Sequence, residues 1–126
     1  MSPEQREVAY INSRKLAASQ VTRLKAISEI AASGVPVGSA KIVVEVFLAL
    51  RKGTTVKRAL AIRDMDRFLA GIRKDDGLEA LAVALNAFAR HIVYRESLGS
   101  KQPGNRALYS NTSHTSRFQR KKPSLL

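Results

Sequence analysis

The sequence contains no cysteine and no tryptophan, and histidine occurs at only two of its 126 positions. Without cysteine the chain can form no disulfide, cysteine-ligated zinc site or iron–sulfur centre, and it has no thiol nucleophile. His91 has no distinctive motif around it and is interpreted as a partly exposed helix histidine, while His114 lies in a polar segment without fixed surroundings. We therefore expect no enzymatic activity, no catalytic residues, no metal site and no cofactor.

Long hydrophobic segments are also missing. No run of about 18 apolar residues is present, and the longest apolar stretch, residues 42–50, is interrupted by Glu45. Residues 1–7 are polar and of mixed charge, unlike the basic and then apolar segments that begin a secretory signal. These features predict a soluble, cytoplasmic protein without a membrane span.

Positive charge is present in excess. The 22 lysines and arginines stand against 10 acidic residues, a formal net charge of +12, and such a charge attracts polyanions. Residues 99–126 hold six cations and no acid, are rich in Ser, Asn, Gly and Gln, and show no helical period. Because such a segment buries too little apolar surface to offset its ordering entropy, we predict a disordered, flexible basic tail at 99–126 after a folded domain at 1–98.

The hydrophobic periodicity of the first 98 residues predicts an all-α fold of four helices. Ser2, Pro3 and Gln5 are typical of a helix start, and apolar residues then recur at the helical period as far as Gly34. This pattern predicts one long first helix over residues 3–33. At 1.5 Å per residue it would extend for about 45 Å. A domain of this size cannot cover that length, so we expect a homodimer.

The segment at residues 39–52 is the most ambiguous. The β-branched side chains between Ile42 and Val46 favour a strand by propensity. However, no other segment has a strand pattern with which it could pair. Helix and strand both stay open from the sequence, and a buried helix is favoured.

The last two predicted helices have clear amphipathic patterns. The third is expected to begin at Thr54 or Thr55. A second capping box, in which Asp76 caps the helix and Glu79 follows three residues later, predicts the start of the fourth. That last helix is expected to end at Gly99.

Residues 27–36 resemble the first helix and turn of a helix-turn-helix motif, with Gly34 at the turn. The helix that follows would have to present polar side chains to base edges, yet residues 42–50 are nearly all apolar. An ordinary helix hairpin is therefore favoured over a DNA-reading motif.

The third helix is the better candidate for contact with nucleic acid, because phosphate contacts need only cations at the surface. A solvated charged face would have the same composition. The tail adds clustered cations around Phe118, a pattern typical of nucleic-acid-binding segments. The predicted nucleic-acid-binding residues are Lys57, Arg58, Arg63, Arg67, Arg73, Lys74, Arg117, Arg120, Lys121 and Lys122.

The favoured function is that of a small basic nucleic-acid-binding protein, and more specifically a DNA-binding regulator of transcription. DNA is preferred to RNA because few aromatic side chains are available to stack on unpaired bases. Two alternatives stay open. One is a helical adaptor whose basic tail docks on an acidic partner, and the other is an RNA-binding protein of viral or ribosome-associated type.

Six residues in the first part of the chain share their identities and much of their spacing with the start of a known family: Ile11, Asn12, Leu16, Gln20, Gly34 and Val35. The pattern resembles the FlhD family of small, helical, dimeric regulators of transcription. The interval from Gln20 to Gly34 is one residue shorter here, and residues 31–33 lack the family's Phe-Arg, so no functional residue is carried over. The resemblance implies a homodimer that works with a second protein subunit, as the family does with its FlhC partner.

Overall fold

A computed structural model describes the backbone of residues 1–121 and the side chains of residues 1–114. This part of the chain forms helices only and contains no strand, which confirms the all-α prediction. The ambiguous segment at 39–52 is helical. The described helices are α1 (Pro3–Ala17), α2 (Arg23–Ala32), α3 (Val37–Lys52), α4 (Ile62–Asp76), α5 (Leu78–Ser97) and α6 (Pro103–Lys121).

The single long helix predicted over residues 3–33 is wrong, because the chain breaks between α1 and α2. Ser19 adopts a left-handed conformation with φ of 59°. The backbone N–H of Gln20 donates to the carbonyl of Lys15 at 2.8 Å, and that of Ser19 donates to Leu16 at 2.9 Å. These two hydrogen bonds form a Schellman motif, which ends α1. A new cap at Thr22 then starts α2, which packs back against α1.

Helix α3 is apolar because it packs against α1, α2 and α5. Its Phe47 ring meets the rings of Tyr10 from α1 and Phe68 from α4 edge-on, with centroid distances of 5.8 and 5.2 Å. All three side chains are buried. The β-branched run that resembled a strand is thus a helix face enclosed on several sides.

The predicted start of the third helix at Thr54 or Thr55 is also wrong. Gly53 ends α3 in a left-handed conformation with φ of 77°. The chain then runs as a loop over α5, where the side chain of Val56 is buried, until α4 begins at Ile62. Because this loop packs against α5, Thr54 and Thr55 lie inside the loop and do not cap a helix.

The capping box predicted at Asp76 and Glu79 does not form. Gly77, with φ of 93° and ψ of 177°, both ends α4 and precedes α5, and no side chain caps α5. The carboxylate of Asp76 instead pairs with Arg14 at 2.6 Å and with Arg51 at 3.3 Å.

Helix α6 occupies most of the segment that was predicted to be a disordered tail, so the described fold exceeds four helices. Leu108 and Tyr109 pack against the core, and the Tyr109 ring lies 6.4 Å from that of Phe88 on α5. Gly104 permits close contact with α4, since a Cβ there would lie 2.2 Å from Cδ1 of Ile62. Contacts of these side chains with α4 and α5 thus hold this polar segment against the rest of the fold.

Candidate nucleic-acid interface

The structure does not gather the six predicted cations of the third segment onto one surface. Lys57 and Arg58 lie on the loop between α3 and α4, and the other four lie on α4 itself. On α4, the exposed Arg63 and Lys74 are 11 residues apart, about 16 Å along a helix. Arg73 is half-buried on the side that faces α6, where it lines a cleft with Leu108.

Arg67 is held by α1. Its Nε and Nη2 donate to the two carboxylate oxygens of Glu7 at 2.5 and 2.8 Å, and its guanidinium lies 4.1 Å from the centroid of the Tyr10 ring. The hydrogen bond from Arg67 lowers the pKa of Glu7. The charge of Arg67 is therefore neutralised locally, and its geometry fits the joining of two helices.

The Arg67–Glu7 pair belongs to a row of polar contacts that joins α1 to α4, hereafter the α1–α4 ladder. Arg6 donates to Asp64 at 2.8 Å, the Tyr10 hydroxyl donates to Asp75 at 2.6 Å, and Arg14 donates to Asp76 at 2.6 Å. The ladder occupies four of the chain's ten acidic side chains, with Glu7 the first of them and Asp64, Asp75 and Asp76 the others. Much of the acidic charge is thus used inside the fold.

The loop at residues 53–61 is held in place by a buried histidine. His91 on α5 is 1% exposed, so the expectation of a partly exposed histidine is wrong. Its Nδ1 lies 2.6 Å from the carbonyl oxygen of Val56. A carbonyl can only accept, so this geometry assigns the ring proton to Nδ1. The contact fixes the backbone directly beside Lys57.

A second contact from α5 fixes the start of the same loop. The guanidinium of Arg90 donates to the carbonyl of Gly53. Lys52, the last residue of α3, lines a cleft together with Arg90, and Lys57 and Arg58 line the next cleft along the loop. We call these four cations, Lys52, Lys57, Arg58 and Arg90, the basic cluster.

Among the described residues, no member of the basic cluster forms an ion pair with a carboxylate. Glu45 lines the cleft beside Lys57 and Arg58, but its carboxylate is paired with Arg23 at 3.1 Å. The cluster is therefore a concentration of exposed positive charge, with Lys57 and Arg58 on a loop whose backbone is fixed at two points, and Lys52 and Arg90 on the helices beside it.

Half of this cluster was predicted from the sequence. Lys57 and Arg58 were predicted, whereas Lys52 and Arg90 were missed. Lys52 directly precedes the glycine that ends α3, and its proximity to the loop was a usable signal. Arg90 carries no local signal, because only the packing of α5 brings it to Gly53.

The predicted tail residues fall at the edge of what the structure describes. The backbone of Arg117, Arg120 and Lys121 belongs to α6, but their side chains lie outside the described residues. Lys122 lies outside them altogether. The prediction that these four residues bind nucleic acid stays a prediction.

No helix in the described part of the chain has the length and apolar character needed to cross a membrane. Within residues 1–114, no three histidine or acidic side chains come together as metal ligands would.

No protein-family model, curated protein or solved structure matches this chain. The resemblance to the FlhD family thus rests on the residues quoted above and stays a prediction.

Proposed function

We propose that this protein binds nucleic acid through phosphate contacts made by the basic cluster, with Arg63 and Lys74 on α4 as further contacts. DNA is the favoured ligand, and regulation of transcription is the proposed biological role. The proposal includes no catalytic step. The observation that carries it is the position of four exposed, unneutralised cations on one clamped loop and its immediate neighbours.

The distribution of charge supports this proposal. The chain has 10 acidic residues, and most of those in the described ion pairs stabilise contacts between helices or within one helix. Within residues 1–114, the basic cluster has no such partner. Surface cations of this kind bind phosphates by releasing condensed counterions, which makes the affinity strongly dependent on salt.

The clamped loop also supports phosphate binding over a merely solvated face. Contacts from His91 and Arg90 fix the backbone on both sides of Thr54 and Thr55 before any ligand arrives. A cation on a fixed backbone loses less freedom when it binds than one on a mobile segment. The loop is thus suited to hold phosphates in a defined register.

The test is a binding titration with duplex DNA over a salt series. The double variant Lys57→Gln with Arg58→Gln should bind more weakly. It should also flatten the slope of log affinity against log salt, by about 0.9 for each phosphate that the protein no longer neutralises. The matched control is Lys15→Gln with Lys25→Gln, which removes the same charge from α1 and α2.

If the control weakens binding as much as the cluster variant does, net charge and not the basic cluster determines affinity. If the wild-type protein fails to bind DNA or RNA at about 50 mM salt, the proposed function is wrong. The basic cluster would then be assigned to an acidic protein partner, as in the adaptor alternative.

A further inference from the structure

A cleft of about 420 Å³ lies between the end of α3 and the outer face of α5. Its volume falls near the lower end of the range of about 300–1,000 Å³ typical of small-ligand pockets. Its walls combine two members of the basic cluster with small, apolar and amide side chains. The lining residues are Lys52, Gly53, Val83, Asn86, Ala89 and Arg90.

The cleft is formed before a ligand binds, because its two walls are in direct contact. Gly53 approaches α5 so closely that a Cβ there would lie 2.8 Å from Cγ1 of Val83. Arg90 reaches across from α5 and donates to the carbonyl of Gly53. The end of α3 and the middle of α5 are therefore fixed relative to each other.

The cationic side of the cleft suits a phosphate group. A guanidinium has five N–H donors, and the bond to Gly53 uses one of those on Arg90. The planar guanidinium of Arg90 is held in place and still has donors for a phosphate oxygen. Unpaired bases also stack on the flat face of a guanidinium. Lys52 adds a second cation at the same cleft.

The remaining wall suits a nucleobase. Val83 is 40% exposed and provides an apolar surface, and Ala89 leaves room beside it. Asn86 is exposed in the same cleft and has an amide that can both donate to and accept from a base edge. Val83, Asn86 and Arg90 are spaced three and four residues apart, so they lie on one face of α5.

We propose that this cleft receives one unstacked base of a single-stranded nucleic acid while the neighbouring phosphates lie on Lys52 and Arg90. This inference rests on the proposed function and adds a base site to its phosphate contacts. A duplex keeps its bases paired and stacked, so the cleft favours single strands. The charge complementarity of its rim selects a polyanion over an uncharged aromatic ligand.

The experiment compares two strands of equal length and charge, one with bases and one with abasic sites throughout. The wild-type protein should bind the strand with bases about tenfold more tightly, in line with the contribution of one amide contact to a base edge. Asn86→Ala and Ala89→Leu should each reduce that ratio. Neither should change the affinity for the abasic strand, since neither alters charge. Gln20→Ala removes an exposed amide from the turn between α1 and α2 and should leave both affinities unchanged.

Three results would overturn the inference. Equal affinity of the wild-type protein for the two strands means that phosphates alone are bound, and the proposed function then survives without a base site. An unchanged ratio in both cleft variants places the base elsewhere. Failure to bind either strand at low salt overturns the base site, and failure to bind duplex DNA as well contradicts the proposed function. Circular dichroism of each variant confirms that the helices are intact.

Discussion

At the scale of single residues, Gly71 sets the distance between α1 and α4. A Cβ at this position would lie 2.3 Å from Cε1 of Tyr10 and 2.6 Å from Nη1 of Arg67. The ring of Tyr10 is buried between Phe47 and Phe68 and cannot move aside freely. Gly71 therefore permits the contact on which the α1–α4 ladder depends.

We expect Gly71→Ala to lower the free energy of unfolding by about 1–3 kcal/mol, the usual effect of overpacking. The sign of this change is informative. Alanine is favoured over glycine by about 1 kcal/mol inside a helix, so without overpacking the substitution would raise the free energy of unfolding. Gly38→Ala is the matched control, since no atom of the described part of the chain lies within 4 Å of its added Cβ. Urea denaturation that gives the two variants equal midpoints would show that α1 and α4 do not meet at Gly71.

Tyr10 makes stability sensitive to alkaline pH. Burial, together with its hydrogen bond to Asp75, raises the pKa of Tyr10 from 10.0 to about 12. Between these two pH values the unfolded chain loses the phenolic proton while the folded protein keeps it. The free energy of unfolding must therefore fall as the pH rises from 10 towards 12.

In the variant Tyr10→Phe this fall in stability should disappear. Wild type should be more stable than the variant at pH 8, and the difference should shrink at pH 11 (both values chosen to bracket the ordinary pKa of about 10). Lysines titrate in the same range, but they do so in both proteins and cancel in the difference. Chemical denaturation that gives a constant difference would contradict the raised pKa.

At the scale of secondary structure, the junction between α1 and α2 shows why local patterns failed. Apolar residues continue at the helical period across residues 18–22, and no glycine or proline marks a stop. The break depends on Ser19, a residue that adopts the left-handed conformation at a cost of about 1–2 kcal/mol. Packing of α2 against α1 outweighs that cost.

Ser19→Gly should therefore raise the free energy of unfolding by about 1 kcal/mol, because glycine adopts this conformation without strain. A continuous helix would give the opposite sign, since glycine costs about 1 kcal/mol in a helix interior. Ala18→Gly is the control and should be neutral or destabilising, as Ala18 has a negative φ of −85°. Destabilisation by Ser19→Gly in thermal denaturation would argue for one unbroken helix.

Other elements followed from the sequence where local chemistry and packing agree. Ser2 and Gln5 form the predicted capping box, and Gly99 follows the end of α5 in a left-handed conformation, as expected. The start of α4 could not be found, because the loop before it is held by a contact between Val56 and His91, which are 35 residues apart. Helix α6 was missed because its polar composition hid the few residues that pack on α4 and α5.

At the scale of the whole molecule, the long first helix that favoured a homodimer does not form. The helix of about 45 Å is two shorter helices that cover each other. The homodimer stays a prediction, and Leu24 on α2, which is 76% exposed, is the residue that tests it.

If a second copy covers Leu24, Leu24→Asp should shift the protein to monomers in sedimentation equilibrium. A buried, unpaired carboxylate costs several kcal/mol. A wild-type protein that is already monomeric at tens of micromolar would contradict the homodimer. Ser28→Ala, an exposed change on the same helix, should leave the association state unchanged.

The candidate site was only partly visible in the sequence. Composition shows that cations are in excess, but it does not show which of them the fold neutralises. Arg67 and Lys57 look alike in the sequence, yet the first is paired with Glu7 and the second has no such partner among the described residues. That difference arises from contacts between residues 60 positions apart, which local patterns do not contain.

The net charge of +12 predicts an unusual response of the folded protein to salt. Repulsion among like charges destabilises the compact state, and salt screens it over a Debye length of about 10 Å at 0.1 M. The half-buried ion pairs of the α1–α4 ladder are screened much less. We therefore expect the Tm to rise when sodium chloride is raised from low to physiological ionic strength.

The variant Lys57→Gln with Arg58→Gln should have a higher Tm than wild type at low salt, because it removes two of the exposed cations that repel their neighbours. Its Tm should also depend less on salt. Lys57 and Arg58 would then lower the stability of the free protein. Such a cost in stability is expected of residues that serve binding and not folding. A Tm below that of wild type at low salt would mean that Lys57 and Arg58 stabilise the loop themselves, and the case for a binding role would fall with it.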